Sequence, residues 1–299
     1  MDATKRKRIA MKVSWISIGV NVALSAFKLF AGIVAMSSAM VADAVHSASD
    51  VCGTVIVMAG VKMSSKESDK EHQYGHERME CVAAILLSVI LFLIGIGIGY
   101  SGVNKIIGIA GGNYHAMTIP GLLALIAAVT SVAMKEGMYW YTRSAAKKID
   151  SVALMAEAWH HRSDALSSVG SFAGILGARL GYPVLDPVAC VVICIFILKA
   201  AYDIFMDAVG KLTDRACDDQ CTAEITAIVN EHEGVLGIDQ LKTRLFGDKI
   251  YVDLEIGADG NSTLNESHDI AEKIHDEIES RVKNVKHCMV HVNPKKAGE

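Results

Sequence analysis

Long apolar runs dominate the chain up to about Ala208, after which charged and polar positions take over. Met11 to Met36 is interrupted only by Lys12 and Lys28, and Ala39 to Val61 follows after the short turn Ser37-Ser38. Cys81 to Asn104 contains no charged residue and is the clearest candidate to cross a bilayer, which takes about 20 apolar residues in a helix. Gly111-Gly112-Asn113 and Pro120 bracket a loop before a fourth run that ends near Tyr141. The fifth, Val152 to Leu180, is broken by Glu157, His160, His161, Arg162 and Asp164, so a plain hydropathy window passes over it. Lys147-Lys148 and Gly181-Tyr182-Pro183 mark its ends, and it spans only if its charges face protein or a water-filled cavity. Val184 to about Met206 is the sixth.

Beyond Lys211 the periodicity shortens. Residues 219–232 read as an amphipathic helix, and Ile238–Leu245 and Lys249–Ile256 alternate around Phe246-Gly247-Asp248 as a hairpin does. Asn265 to Val282 returns to helical spacing, and His287 to Val292 reads as a last strand. The expected fold is an all-α transmembrane domain of six helices, residues 1–210, plus a small α+β domain, residues 211–299, ferredoxin-like with the order αββαβ. Lys5 to Arg8, then Lys62, Lys66, Lys70 and Arg78, then Arg143, Lys147 and Lys148 fall on one side of that arrangement. The opposite loops carry only Lys105 and Arg179, so both termini and the small domain are expected in the cytosol.

Composition narrows the classes further. With 52% hydrophobic residues the chain is not an ordinary soluble domain, and a net charge of −4 gives no basic surface for nucleic acid. The apolar run after the basic start is too long for a cleavable signal peptide and lacks a clear cleavage site. Most of the seven cysteines lie in apolar stretches, where the thiol packs as a small hydrophobe. Cys217-x-x-x-Cys221 is a lone pair and a weak metal clip. Lys28 lies deep in the first run, where it either snorkels outward or pairs with a carboxylate.

The candidate chemistry is duplicated. The second and fifth runs each contain His-x-x-x-Asp, as His46 with Asp50 and His160 with Asp164. Residues four apart share one face of a helix, so each pair is half of a site. Two such helices face to face offer two imidazoles and two carboxylates, a set suited to a tetrahedral dication such as Zn²⁺. Ionisable groups within a membrane are costly and mark substrate paths, so the duplication points to transport. His161 competes with His160 for the role, and the four-residue spacing favours His160. Asp43 shares the face of His46 and Asp50 and reads as a contact between helices rather than a ligand-exit group. In the loop after the second run, Asp69-x-x-His72-x-x-x-His76 offers three more ligands in a short segment, to be weighed against a solvated loop with scattered histidines.

The stretches from Ala42 to Asp50 and from Ala158 to Ser168 closely resemble the second- and fifth-helix signatures of the cation diffusion facilitators. Lys135-Glu136 with Tyr139, and Gly75-His76, are similar too. The resemblance covers nearly the whole chain. It implies a homodimeric divalent-cation exporter driven by proton exchange, with six spans and a cytosolic metallochaperone-like domain. It also implies a second metal site at Asp69, His72 and His76, and a cytosolic one at Asp239, Asp253, His268 and His291 with Asn293 beside it. Carboxylates at the first two of those positions, and Asn293 for a common Asp, shift that site toward oxygen donors. A further implication is an interlock between Arg78 and Asp214.

The expected activity is therefore export of Zn²⁺ from the cytosol by alternating access in exchange for protons, with the divalent cation as substrate and possible regulator. Iron, manganese, cadmium or cobalt export, and a membrane metal sensor or assembly partner that no longer cycles, are the alternatives. Four ready ligands leave little room for the open metal position of a hydrolase, so the chain is read as a transporter and not an enzyme. Its expected partners are a second copy of itself, the lipid bilayer, the metal ion and protons, in a bacterial or archaeal inner membrane.

Overall fold

In the computed structural model, residues 3–64, 66, 68–112, 118–149 and 151–295 are described. Asn113 of the expected turn, and the side chains of Lys5, Arg6, Lys7 and Lys62 used to orient the chain, lie outside the described residues. The long helices are α1 (Ala3–Val34), α2 (Ser38–Ser64), α3 (Met79–Ala110), α4 (Leu122–Ile149), α5 (Val152–Arg179) and α6 (Leu185–Leu212). After them come α7 (Asp219–Asn230), β1 (Gly237–Phe246), β2 (Lys249–Asp259), α8 (Leu264–Arg281) and β3 (Val285–Lys295). Among the described residues, Met11–Val34, α3, α4 and α6 are long and apolar enough to cross a membrane, which makes this a multi-pass membrane protein. The charges of α5 keep it out of that group.

The chain forms two compact units, Met1–Val55 with Leu87–Asp203, and Ile56–Leu86 with Ile204–Glu299. In the first, small residues let helices approach closely: Ala31, Ala35 and Ala39 are buried against Ala124, Ala127 and Ala128. A Cβ added to Gly174 would lie 2.4 Å from that of Ala189, so α5 and α6 touch nearly backbone to backbone. The outward faces carry bare Trp15, Phe30, Leu93, Leu166 and Ile195, an apolar surface that suits lipid and not water. Where α1 turns into α2, Asp186 of α6 closes the start of α2. Its carboxylate accepts from Ser37 Oγ at 2.5 Å and from the backbone N–H of Ser38 at 2.7 Å, placing negative charge at a helix N-terminus.

Lys28 is fully buried and pairs inward. Its Nζ lies 2.9 Å from Asp43 Oδ2 and donates to Ser47 Oγ at 2.9 Å and Ser168 Oγ at 3.0 Å. Asp43 also accepts from Ser171 Oγ at 3.2 Å, so it joins helices and is saturated by them.

In the second unit, α7 and α8 pack on one face of a three-stranded sheet of order β1-β2-β3. β1 and β2 are antiparallel around Gly247, whose φ of 66° needs a residue without Cβ strain, and β2 and β3 are parallel through α8. Ile225, Ile228, Leu254, Ile256, Ile274 and Ile278 form the core. Asp218 caps α7 at the N–H of Cys221, and Thr263 with Glu266 forms a capping box on α8. The segment after α2 belongs to this unit. Lys286 of β3 donates to the Tyr74 carbonyl at 3.0 Å and pairs with Glu77, while Arg78 pairs with Asp214 and stacks over Phe246 at 4.6 Å.

Candidate metal centre

On α2 and α5 the four-residue spacing does what helix geometry requires, with one exception. His46, Asp50 and Asp164 each bring a ligand atom within 4.8 Å of the others. Asp164 is buried, and Asp50 Oδ2 is a buried acceptor with no hydrogen-bond partner among the described residues. His160 does not join this triangle. Its ring is 54% exposed and its Nε2 stands 3.8 Å from Asp164 Oδ2. His161, the competing residue, is committed elsewhere: its Nε2 meets Ser17 Oγ of α1 at 2.9 Å.

Sequence reading attached no role to the group that completes the centre. Lys135 of α4 is buried, and its Nζ donates to Asp164 Oδ2 at 2.6 Å. The signal was present in the spacing: Ser131, Lys135 and Thr142 recur on one face of α4 and all are buried there. An ammonium therefore neutralises the carboxylate that a dication would need. His46 also lines a cavity of about 790 Å³ beside α5 and α6, with Ser163, Ser167, Lys199 and Asp203 on its walls.

The loop residues converge as well. Asp69, His72 and His76 bring ligand atoms within 4.8 Å of one another. Asp69 Oδ1 lies 3.5 Å from His72 Nδ1, Asp69 Oδ2 lies 3.4 Å from His76 Nε2, and the two ring centroids are 4.5 Å apart at a tilt of 41°. Gly75 at a φ of 101° makes the turn that returns His76 to the other two. The hydrogen bond from Lys66, then those from the backbone N–H groups of His72 and Glu71, hold the Asp69 carboxyl well below the usual carboxylate range. His76 is buried and its Nδ1 has no partner among the described residues.

The expected set in the small domain is not assembled within one chain. Asp253 and His291 lie on the open face of the sheet, opposite Met289 and Glu255 respectively. His268 sits on α8, which packs on the other face, so the sheet itself separates it from them. Asp239 is occupied by Lys295 at 2.6 Å and by Asn293 at 3.0 Å. Among the described residues, no trio from Asp239, Asp253, His268 and His291 falls within 4.8 Å, and no third ligand joins Cys217 and Cys221.

Two family models match the chain: the cation efflux transmembrane domain over residues 14–213, and the cytoplasmic domain of cation efflux proteins over residues 217–295. The manganese efflux system protein MneP of Bacillus subtilis is 30% identical, and the match covers 98% of this chain and 98% of that protein. The magnetosome protein MamM of Paramagnetospirillum magneticum is 31% identical over 96% of this chain and 89% of its own length. Metal tolerance protein C1 of Arabidopsis thaliana is 31% identical over 95% of this chain, which spans 62% of that longer protein.

Proposed function

Because the chain belongs to the cation efflux family of divalent-metal transporters, we propose that it exports Zn²⁺ from the cytosol by alternating access coupled to proton entry. One observation carries the reading: His46, Asp50 and Asp164, from two helices of a multi-pass membrane protein, bring ligand atoms within 4.8 Å of one another, and one Asp50 oxygen is buried without a partner among the described residues. His160 swings in as the fourth ligand, and the ion displaces the Lys135 ammonium from Asp164. Imidazoles bind metal only when neutral, so protons arriving from the far side weaken the site and promote release. All six long helices cross the membrane, with both termini and residues 211–299 in the cytosol, 1–210 forming the transport domain. The small domain is ferredoxin-like and pairs with a second copy of the chain. Asp69, His72 and His76 form a second, loop site. The cytosolic residues Asp239, Asp253 and His291 would draw ligands from the partner copy.

A second reading, Mn²⁺, is favoured by a specific feature. The preformed triangle holds one imidazole against two carboxylates, and oxygen-rich sets suit harder cations. Metal-by-metal flux in proteoliposomes with an imposed pH gradient tests both. Zinc flux that follows the gradient is the expected result; manganese preferred at matched pH selects the second reading, and flux indifferent to the gradient overturns proton coupling.

A further inference from the structure

β3 is an edge strand, and two ionisable side chains of α8, His275 and Glu279, cover its outer edge beside His287 of β3 itself. Glu279 Oε1 accepts from the Cys288 N–H at 3.0 Å, and His275 Nδ1 meets the Cys288 carbonyl at 2.5 Å. These two bonds explain why the edge strand needs α8 here. They do not explain what the remaining atoms do. His275 Nε2 faces Glu279 Oε1 at 3.3 Å, and His287 Nδ1 faces the same oxygen at 3.5 Å.

A carbonyl can only accept, so the Cys288 contact places the proton of His275 on Nδ1. In the neutral ring Nε2 then carries the lone pair, on the side that faces the carboxylate oxygen. An imidazole that donates one N–H to a backbone carbonyl is in the tautomer and orientation of a metal ligand. Both N···O separations exceed the usual length of a hydrogen bond. They match the edge of a tetrahedron instead: ligand atoms about 2.0–2.1 Å from a zinc-sized ion lie roughly 3.3–3.4 Å apart.

A neighbouring cluster shows what a completed ion pair looks like in this domain. His232 Nε2 meets Glu277 at 3.0 Å, and Arg281 binds the other oxygen of Glu277 at 2.5 Å. Among the described residues no lysine or arginine pairs with Glu279. The groups within ion-pair distance of Glu279 among the described residues are the imidazoles of His275 and His287, and all three side chains are about a third to a half exposed. Cys288 takes no part as a ligand: its side chain is buried in the core of the small domain.

We propose that His275, Glu279 and His287 form a divalent-cation site on the surface of the small domain, taking a borderline ion such as Zn²⁺ or Co²⁺ with water in the fourth position. The two nitrogens flank the carboxylate oxygen without yet closing a triangle, so the half-exposed His287 ring turns inward as the ion enters. The site is separate from the membrane and loop clusters. It also adjoins Lys286, which holds the Tyr74–Glu77 segment, so occupancy would stiffen the strand that grips that segment.

The test is a count of Co²⁺ bound per chain by equilibrium dialysis of the full-length protein in detergent, with the visible d–d absorption recorded. His287→Ala removes an exposed side chain, and Glu279→Gln keeps the shape of the one that accepts from Cys288. Each is expected to bind one ion fewer than wild type and to lose the same component of the spectrum. Unchanged stoichiometry and spectrum in both variants, with unchanged circular dichroism, would overturn the site.

Discussion

The membrane cluster and the loop cluster use one device in two solvents. In each, a lysine ammonium already holds an aspartate that could bind metal: Lys135 on Asp164 at 2.6 Å, and Lys66 on Asp69 at 2.8 Å. The first pair is buried, with side chains only 1% and 7% exposed, whereas the second stands at 64% and 36%. Charges at the surface are hydrated and separate at little cost, about 0–1 kcal/mol. A buried pair cannot lose one member without leaving the other stranded in low dielectric. The same contact is therefore a loose association in the loop and, under the proposed mechanism, a stoichiometric exchange in the membrane, where a cation would enter only as the ammonium leaves.

The comparison breaks most visibly at the carboxylates. Asp164→Ala removes a ligand and strands Lys135, so transport in proteoliposomes should fall at least about 100-fold, while Asp69→Ala leaves flux within a few-fold of wild type. Similar losses in both variants would show that the loop lies on the obligatory path.

Much of this contrast could be read before the structure, and the reason is periodicity. His46 and Asp50 had to share a face of α2 once that stretch was helical, and the Cys81–Asn104 part of α3 announced itself by lacking charge. The small domain was legible because alternation around Phe246-Gly247-Asp248 admits few other arrangements. Lys135 was not legible as a site residue because a lone lysine in an apolar run snorkels as readily as it pairs, and only the packing of α4 on α5 distinguishes these. The separation of His268 from Asp253 and His291 was not legible either: the family resemblance that grouped them does not say which face of the sheet α8 covers in this chain.

Replacing the ammonium rather than the carboxylate sharpens the comparison. Lys135→Met leaves Asp164 without its internal cation, so the metal should bind about tenfold tighter and turn over about tenfold more slowly, each corresponding to roughly 1.4 kcal/mol. Lys66→Met should change the affinity of the loop for Co²⁺ less than about threefold. Binding titrations paired with flux measurements distinguish the two, and equal effects would remove the distinction between the pairs.

The smallest expected effect concerns acidity. Asp69 is held below the ordinary carboxylate range, so its ionised form persists as pH falls through about 4 and is lost only below that. The ratio of Co²⁺ affinities between wild type and Asp69→Asn should therefore be the same at pH 7 and pH 5, since protonation of the histidines weakens both alike. An Asp69 side-chain carboxyl that takes up its proton at about pH 4, followed by NMR of its carbon, would mean that Lys66 and the two backbone N–H groups do not hold it ionised.

The Lys28–Asp43 pair bears on how the protein is made. Fifteen residues separate the two charges in the chain, across the tight connection between α1 and α2. Either charge alone at mid-membrane costs about 2.5–3.5 kcal/mol on the insertion scale. A ribosome delivers the lysine first, when nothing in the bilayer can neutralise it. The first two helices should then leave the insertion machinery together, as a hairpin whose charges have already met, and α1 truncated before Asp43 should be retained far less well.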